Sequence, residues 1–428
     1  MRRALAAVAL FALLGAAPVP PSATRYPTAS ATDLGATRLV TENDADSAVS
    51  GLQVFVAAGL DRESAANDGV AALVAECVTR TPVNGVPVRD AIGAAGGSLS
   101  YTVDGRSVHY YLEARSEHLA ALVPLLGTAL AAPDFSSATI AAARASLAAR
   151  EIEFESNPLS VGIQMFRRSY YASGTGQQSL GNSGTLAGLS SRDVGAFYRA
   201  NYRRRAIFSS VVGTVTPELS SAINGLASGL ADGPIAPVSE KARTIPSTAP
   251  RIVARRDVAA PWVVVGFAAP APASRDFGAM LVLEALLSDA FERQATTTVG
   301  FLEKSVGAFY LYDSTPASLV VYVNGSQVDP SLALRELLLV SRSLSQRPLG
   351  PSTLAHFKTA AQGQFLSDSV NVSDRAYLLG AFSSQGLGDD SINAALAALE
   401  RTNAADVQRV AKTYLQRYIV ALVLPRGQ

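Results

Sequence analysis

Asp68-Gly69-Val70-Ala71-Ala72-Leu73-Val74-Ala75-Glu76-Cys77-Val78-Thr79-Arg80 reads as a buried helix that follows a glycine. It is apolar almost throughout, and Glu76 and Arg80 stand four residues apart, the favourable order for a helical ion pair. Working outward, residues 49–59 are Val-rich and alternate, so they predict a strand, with 61–67 as a polar loop between strand and helix. On the other side, 88–95 predicts a second helix with Asp90 in its first turn, ended by Gly96-Gly97. Strands at 98–103 and 107–114 follow, joined by an Asp104-Gly105 turn. Residues 116–131 and 137–155 read as helices, and Asn157-Pro158 closes the second. Then come a helix at 190–202, a strand at 206–215 and a helix at 217–230. Ahead of all this, 18–33 reads as a loose leader, 36–40 as a first strand and 42–46 as a polar turn.

Residues 231–250 hold Pro234, Pro237, Pro246 and Pro250 with little periodicity, which predicts a linker. The pattern then starts again. Gln53-Val54-Phe55-Val56-Ala57-Ala58 matches Trp262-Val263-Val264-Val265-Gly266-Phe267 at an offset of 209, and Gly69 falls on Gly278 at the same offset. Gly97 falls on Gly307 at 210, Val108-His109-Tyr110-Tyr111-Leu112 on Leu319-Val320-Val321-Tyr322-Val323 at 211, and Asp193-Val194 on Asp406-Val407 at 213. Order and spacing are kept across the whole half, which is the signature of an internal repeat. The predicted fold class is therefore α+β, with two tandem homologous domains, each an antiparallel sheet packed with helices on one face. The expected boundaries are a signal peptide at 1–25, a first domain at 26–230, the linker at 231–250 and a second domain at 251–428.

Composition narrows the function. Of 428 residues, 48% are apolar and 17% charged, and the net charge is +1. Arg203-Arg204-Arg205 is the one basic block, so no nucleic acid partner is implied. A single cysteine, Cys77, excludes an internal disulfide and a Cys cluster, and reads as a small buried apolar residue. His109, His118 and His356 are scattered, which argues against a His-rich metal site. No Gly-x-Ser-x-Gly elbow supports a serine hydrolase. Arg2 and Arg3 precede an apolar run at 4–17 and then small residues, with cleavage expected after Ala17 or Ala23. That run is short of the ~20 residues a bilayer span needs. A cleaved signal is expected, with an uncleaved anchor as the alternative. The mature chain should be exported, periplasmic or extracellular, with no membrane span.

Several of these stretches together resemble the pitrilysin/insulinase-like metallopeptidases of processing-peptidase type. The strand closed by Gly59 leads through Asp61-Arg62-Glu63 to Gly69-Val70-Ala71-Ala72, where the family has Gly-x-Ala-His-x-x-Glu-His. Glu151-Ile152 precedes Asn157-Pro158 as in the family. Asp193-Val194-x-x-Phe197-Tyr198-x-x-x-Tyr202 with Val211-Val212-Gly213 is similar to the family's helix and closing strand. Gly307-Ala308-Phe309-Tyr310 is similar to its Gly-Leu-Ala-Tyr. The resemblance covers most of both halves.

The resemblance implies a zinc site, because two imidazoles at i and i+4 share a helical face and the Glu between them reaches the metal-bound water. Zinc lowers the pKa of that water to roughly 7 and the Glu acts as base. Carried onto this chain, the first His falls on Ala72, the base on Ala75 and the second His on Glu76. The third ligand falls on Glu151, an auxiliary Glu on Arg144 and a second-half Arg on Glu303, while Tyr310 is kept. A one-residue shift does not rescue the motif, because it puts Leu73 at the first His. The expectation is a chain with no catalytic residue at these positions and no zinc cofactor, the ligands being lost. Glu76 and Glu151 are hard oxygen donors that suit Ca²⁺ or Mg²⁺ better, and an ion pair with arginine is the favoured use of them. Tyr310 reads as a cross-strand packing residue. The family relationship implies a non-catalytic subunit that pairs with an active sister metallopeptidase around peptide or unfolded polypeptide. The alternatives are an active metal-dependent endopeptidase with a rearranged site and a stand-alone peptide-binding or scaffold protein. The Gly-rich loop of some inactive processing-peptidase subunits has no counterpart at 293–300, so presequence binding is not implied.

Overall fold

The computed structural model describes residues 26–426, apart from 173, 177, 239–241, 300–304, 315 and 326–327. The expected signal segment 1–25, Gly300 and Glu303 lie outside the described residues. Two sheets organise the rest. The first has six strands in the spatial order Ser30–Asp33, Arg38–Asn43, Ile207–Gly213, Val49–Val56, Val108–Arg115 and Gly97–Val103. The second has five, in the order Arg251–Arg256, Tyr418–Pro425, Trp262–Ala268, Ser318–Asn324 and Ser305–Leu311. From Arg38–Asn43 onward the two orders match strand for strand. Each sheet has one parallel pair at the same place, Arg38–Asn43 with Ile207–Gly213 and Arg251–Arg256 with Tyr418–Pro425. All other ladders are antiparallel. The repeat seen in the sequence is thus a repeat of topology. It extends to the helix ends, where Ser190 with Asp193 and Asn403 with Asp406 both close a reciprocal capping box.

The first core lies between its sheet and the helices Val70–Arg80, Ser116–Ala131 and Ser137–Ser156. Gly97–Val103 shows the half-buried alternation: Leu99, Tyr101 and Val103 point inward while Ser98, Ser100 and Thr102 are exposed. The central strands behave differently. Val49–Val56 is buried from Ser50 to Val56, and Val263 to Phe267 are buried in succession, so both faces of each central strand are covered.

The second covering layer corrects the one-face expectation. The helix Val372–Ser384 of the second half lies on the first sheet, against Val49–Val56 and Ile207–Gly213. Gln53 Nε2 donates to the Ser373 carbonyl at 3.1 Å, Ser210 Oγ to the Ala376 carbonyl at 2.6 Å, and Arg375 pairs with buried Glu42 at 2.9 Å. In return, the helix Pro158–Tyr170 of the first half lies on the second sheet, against Trp262–Ala268 and Tyr418–Pro425. Each half therefore lends one helix to the other's sheet. A continuous apolar run such as Trp262 to Phe267 needs cover on both faces, and the repeat supplies it reciprocally.

Other departures from expectation follow from the same contacts. Glu42 and Asn43 continue a strand instead of turning, because Glu42 meets Arg375. Ser30–Asp33, expected within a loose leader, pairs with Arg38–Asn43 as an edge strand. Asn157-Pro158 ends one helix but also opens the next, with Asn157 as its cap and Pro158 at its first position. Among the described residues, no helix is long and apolar enough to cross a membrane.

Candidate functional site

The Val70–Arg80 helix is buried from Val70 to Thr79. Its start is held by Glu63, whose carboxyl accepts the backbone N–H groups of Gly69 at 3.1 Å and Ala71 at 2.8 Å. Burial pushes the Glu63 carboxyl up to about 8, against those two hydrogen bonds. Asp68 accepts from Asn182 Nδ2 at 2.9 Å. The acidic loop before the helix is therefore part of its N-terminal cap.

Ala72, Ala75 and Glu76 sit on this helix, and all three are fully or almost fully buried, Glu76 being 1% exposed. Glu76 is enclosed by cations. Its Oε1 accepts from Arg80 Nε at 2.8 Å, and its Oε2 accepts from the Tyr101 hydroxyl at 2.9 Å and faces Arg89 at 3.5 Å and Arg150 at 4.0 Å. Arg150 also donates to the Tyr101 hydroxyl at 2.8 Å and lies 5.1 Å from its ring centre. Arg89 donates to Thr79 Oγ1 at 2.7 Å. Burial alone would push the Glu76 carboxyl up. The Arg89 charge, the Tyr101 hydrogen bond and Arg80 outweigh it, so the group lies below its ordinary value and is ionised. Both oxygens are engaged.

Glu151 lies on the Ser137–Ser156 helix, which packs against Val70–Arg80. Its Oε2 accepts the backbone N–H of Ser183 at 3.0 Å. Arg144 donates to the Leu189 carbonyl. Tyr310 belongs to the second core. Its backbone N–H donates to Glu284 Oε1 at 2.8 Å, its hydroxyl donates to the Pro270 carbonyl, and its ring packs on Phe277. The fold thus brings the helices of Ala72, Ala75, Glu76 and Glu151 together and leaves Tyr310 in the other half.

Zinc does not fit these residues. Ala72 and Ala75 offer methyl groups with no lone pair, and Glu76 is already held by Arg80 and Tyr101. Among the described residues, no group of three or more His, Cys, Asp or Glu side chains is placed to hold a metal ion. Cys77 is buried, and that burial raises its thiol to about 12, so it packs and does not attack. His109 is buried between the Phe55 ring at 5.5 Å and the Tyr377 ring at 4.8 Å, and burial lowers it to about 3. It is a neutral packing group at the seam between the halves.

Two features escaped the sequence reading. Tyr101, Arg89 and Arg150 have no spacing that links them to Glu76, since a strand and two further helices bring them in. Glu284 did have a signal: it stands 209 residues after Ala75, the offset that relates Gly69 to Gly278. It is buried, and burial raises it to about 8.

Comparison with known proteins agrees with this architecture. The family described as insulinase, peptidase family M16, matches residues 38–183, and the peptidase M16 inactive domain matches residues 188–339. No curated protein matches the chain by sequence. Among solved structures, a protease from Helicobacter pylori has a TM-score of 0.83 at 16% identity, over 94% of this chain and 100% of that one. A peptidase M16 inactive domain from Pseudomonas fluorescens has a TM-score of 0.81 at 12% identity, over 93% and 98%. An M16-like peptidase from Alicyclobacillus acidocaldarius has a TM-score of 0.78 at 14% identity, over 94% and 100%. At these identities the structural likeness speaks for the fold. With the two matched regions and the paired topology, the chain belongs to the insulinase-like peptidases of family M16.

Proposed function

We propose that this protein is a non-catalytic, exported member of the family that pairs with an active sister chain and supplies part of the wall of a peptide-processing chamber. One observation carries the reading. At the positions onto which the family's His-x-x-Glu-His falls, two methyl groups, Ala72 and Ala75, stand beside a carboxylate, Glu76, that Arg80, Arg89 and Tyr101 enclose. The two methyl groups offer neither a metal ligand nor a base, and both oxygens of Glu76 are engaged, which supports the non-catalytic reading. The retained two-sheet scaffold of the family supports the pairing. The basic and apolar segment at residues 2–17 supports export.

The test is purification from native extract with metal analysis, solution mass and identification of co-purifying chains, together with N-terminal sequencing of the exported form. The expected result is a chain that begins beyond the apolar run, holds no stoichiometric zinc alone, and associates with a sister carrying His-x-x-Glu-His. A strict monomer that does not bind such a sister overturns the pairing. Stoichiometric zinc with peptide cleavage that is lost on Glu151→Ala overturns the non-catalytic reading.

A further inference from the structure

The Phe277–Val299 helix is the second-half twin of Val70–Arg80, and Glu284 stands where the twin has Ala75. Glu284 is 9% exposed. Its Oε1 accepts the Tyr310 N–H, and its Oε2 has no hydrogen-bond partner among the described residues. The side chain lines a cleft of about 300 Å³, the lower end of the ligand-pocket range. Tyr310, Tyr312, Phe365 and Tyr377 form its walls, and Asp368 is exposed at its rim.

We propose that this cleft binds an organic cation, a guanidinium or primary ammonium on a short alkyl stem, with the Glu284 carboxylate as counter-ion and the aromatic rings as walls. The lining decides between ligand classes. Carboxylates Glu284, Asp313 and Asp368 line the cleft and no Lys or Arg does, so an anion is disfavoured. Ca²⁺ and Mg²⁺ take six or more oxygen ligands, which aromatic rings cannot give, and among the described residues no three His, Cys, Asp or Glu side chains are placed to hold a metal ion. A purely apolar ligand would cover Glu284 and leave its Oε2 without a partner. An organic cation satisfies the carboxylate, and aromatic faces attract it as well.

Binding exchanges a proton. Burial raises Glu284 to about 8, Asp368 acts in the same direction and the Tyr310 N–H opposes it, so near neutral pH the empty cleft holds the acid form. The incoming cation pairs with the carboxylate, and the carboxyl proton leaves to solvent. The titratable groups facing Glu284 are Tyr310 and Tyr312 beside it, Asp313, Asp368 past the end of Pro351–Ser367, and Tyr377 on Val372–Ser384. Asp313 is already paired with Arg167 at 3.1 Å. The helices Pro330–Gln346, Ser391–Arg401 and Ala404–Tyr414 present no charged side chain to the cleft. The inference does not depend on the pairing proposed above.

Calorimetric titration of the full chain with butylguanidinium and butylammonium tests it, with 1-butanol as the uncharged control. Both cations should bind, butanol should not, and buffers of different protonation enthalpy should show release approaching one proton near neutral pH. Affinity should rise with pH up to about 8 and then level. Glu284→Gln should weaken binding about tenfold or more, and Asp368→Asn less. If Glu284→Gln does not fold, the proton release and the Asp368→Asn result still decide. An end-capped arginine peptide against butylguanidinium separates a peptide side chain from a free amine as the natural source. Equal binding of butanol, unchanged cation affinity in Glu284→Gln or absence of cation binding would sink the proposal.

Discussion

The ring of Phe166, from a helix of the first half, lies on Gly266 in the central strand of the second sheet. A methyl group on Gly266 would overlap that ring. The relationship has a counterpart on the other side of the molecule, where Gly380 of the lent helix Val372–Ser384 faces Phe55 of the first sheet. In both places a missing side chain lets a helix of one half seat on the sheet of the other. Gly266→Ala and Gly380→Ala should each cost about 3 kcal/mol by overpacking. Urea unfolding measures the loss, and faster proteolysis within 231–250 should accompany it. Wild-type behaviour in both variants would mean that the halves are not locked by these seats.

Arg167 pairs with Asp313 across the same seam at 3.1 Å and donates to Ser314 Oγ at 2.9 Å. The Asp104-Gly105 turn presses against Ser314 from the first half. Replacing Arg167 with Met leaves Asp313 without its cation, and breaking a buried pair on one side costs about 3 kcal/mol. The double variant Arg167→Met/Asp313→Asn should recover part of the loss. A double-mutant cycle with no coupling would show that the pair is incidental.

Glu76 is depressed in the folded state because Arg89, Tyr101 and Arg80 outweigh its burial. Its contribution is present above the unfolded carboxylate pKa and is lost as pH falls through the lower folded value. Glu76→Gln should therefore lower stability near neutral pH and reduce the loss seen below about pH 4. Urea midpoints from acid to neutral pH check this. A variant with the wild-type acid profile would show that Glu76 is not the group responsible.

Glu63 has the opposite sign. Its folded value is raised from 4.5 to about 8 by burial, so the folded chain binds more protons than the unfolded chain between those values. Its contribution to stability is full below pH 4.5 and falls as pH rises through about 8. Glu63→Gln cannot ionise and keeps one acceptor oxygen where the carboxyl has two, so one of the Gly69 and Ala71 N–H groups loses its partner at every pH, while the melting temperature should fall less between those pH values. Parallel slopes in the two proteins would contradict the raised value.

Restoring the motif as Ala72→His, Ala75→Glu and Glu76→His tests how far the site has closed. Ala72 and Ala75 are fully buried, so the larger side chains should overpack the core at about 1–3 kcal/mol each. Arg80, Arg89 and Arg150 would remain beside the new imidazole and repel a cation. Zinc uptake should stay below one per chain unless Arg89 and Arg150 are also replaced by Ala. Full zinc loading of the triple variant would show that the three side chains alone were missing.

Much of the fold was legible because the repeat is written in residues that local physics constrains. Asp193 and Asp406 mark helix starts through the same capping box, and Gly69 and Gly278 mark the same strand-to-helix passage. The helix Pro158–Tyr170 was less legible, since its apolar side answers to a sheet in the other half. Glu42 looked like a turn residue because its partner Arg375 lies 333 positions away. At the candidate site the sequence placed Ala72, Ala75 and Glu76 on one helix, and period 3.6 suffices for that. It also suggested the Glu76–Arg80 pair, which is local.

The sequence by itself determined two similar halves, a helix at 68–80 without a histidine, and a carboxylate at position 76 within that apolar helix. Only the tertiary structure decided that Glu76 meets Tyr101, Arg89 and Arg150, that Glu151 turns to Ser183, and that each half lends a helix to the other. The physical reason is range. Helix periodicity, caps and turns are set by neighbours within about four residues. The surroundings of a buried charge are set by whichever distant elements must approach to cover the two faces of a sheet.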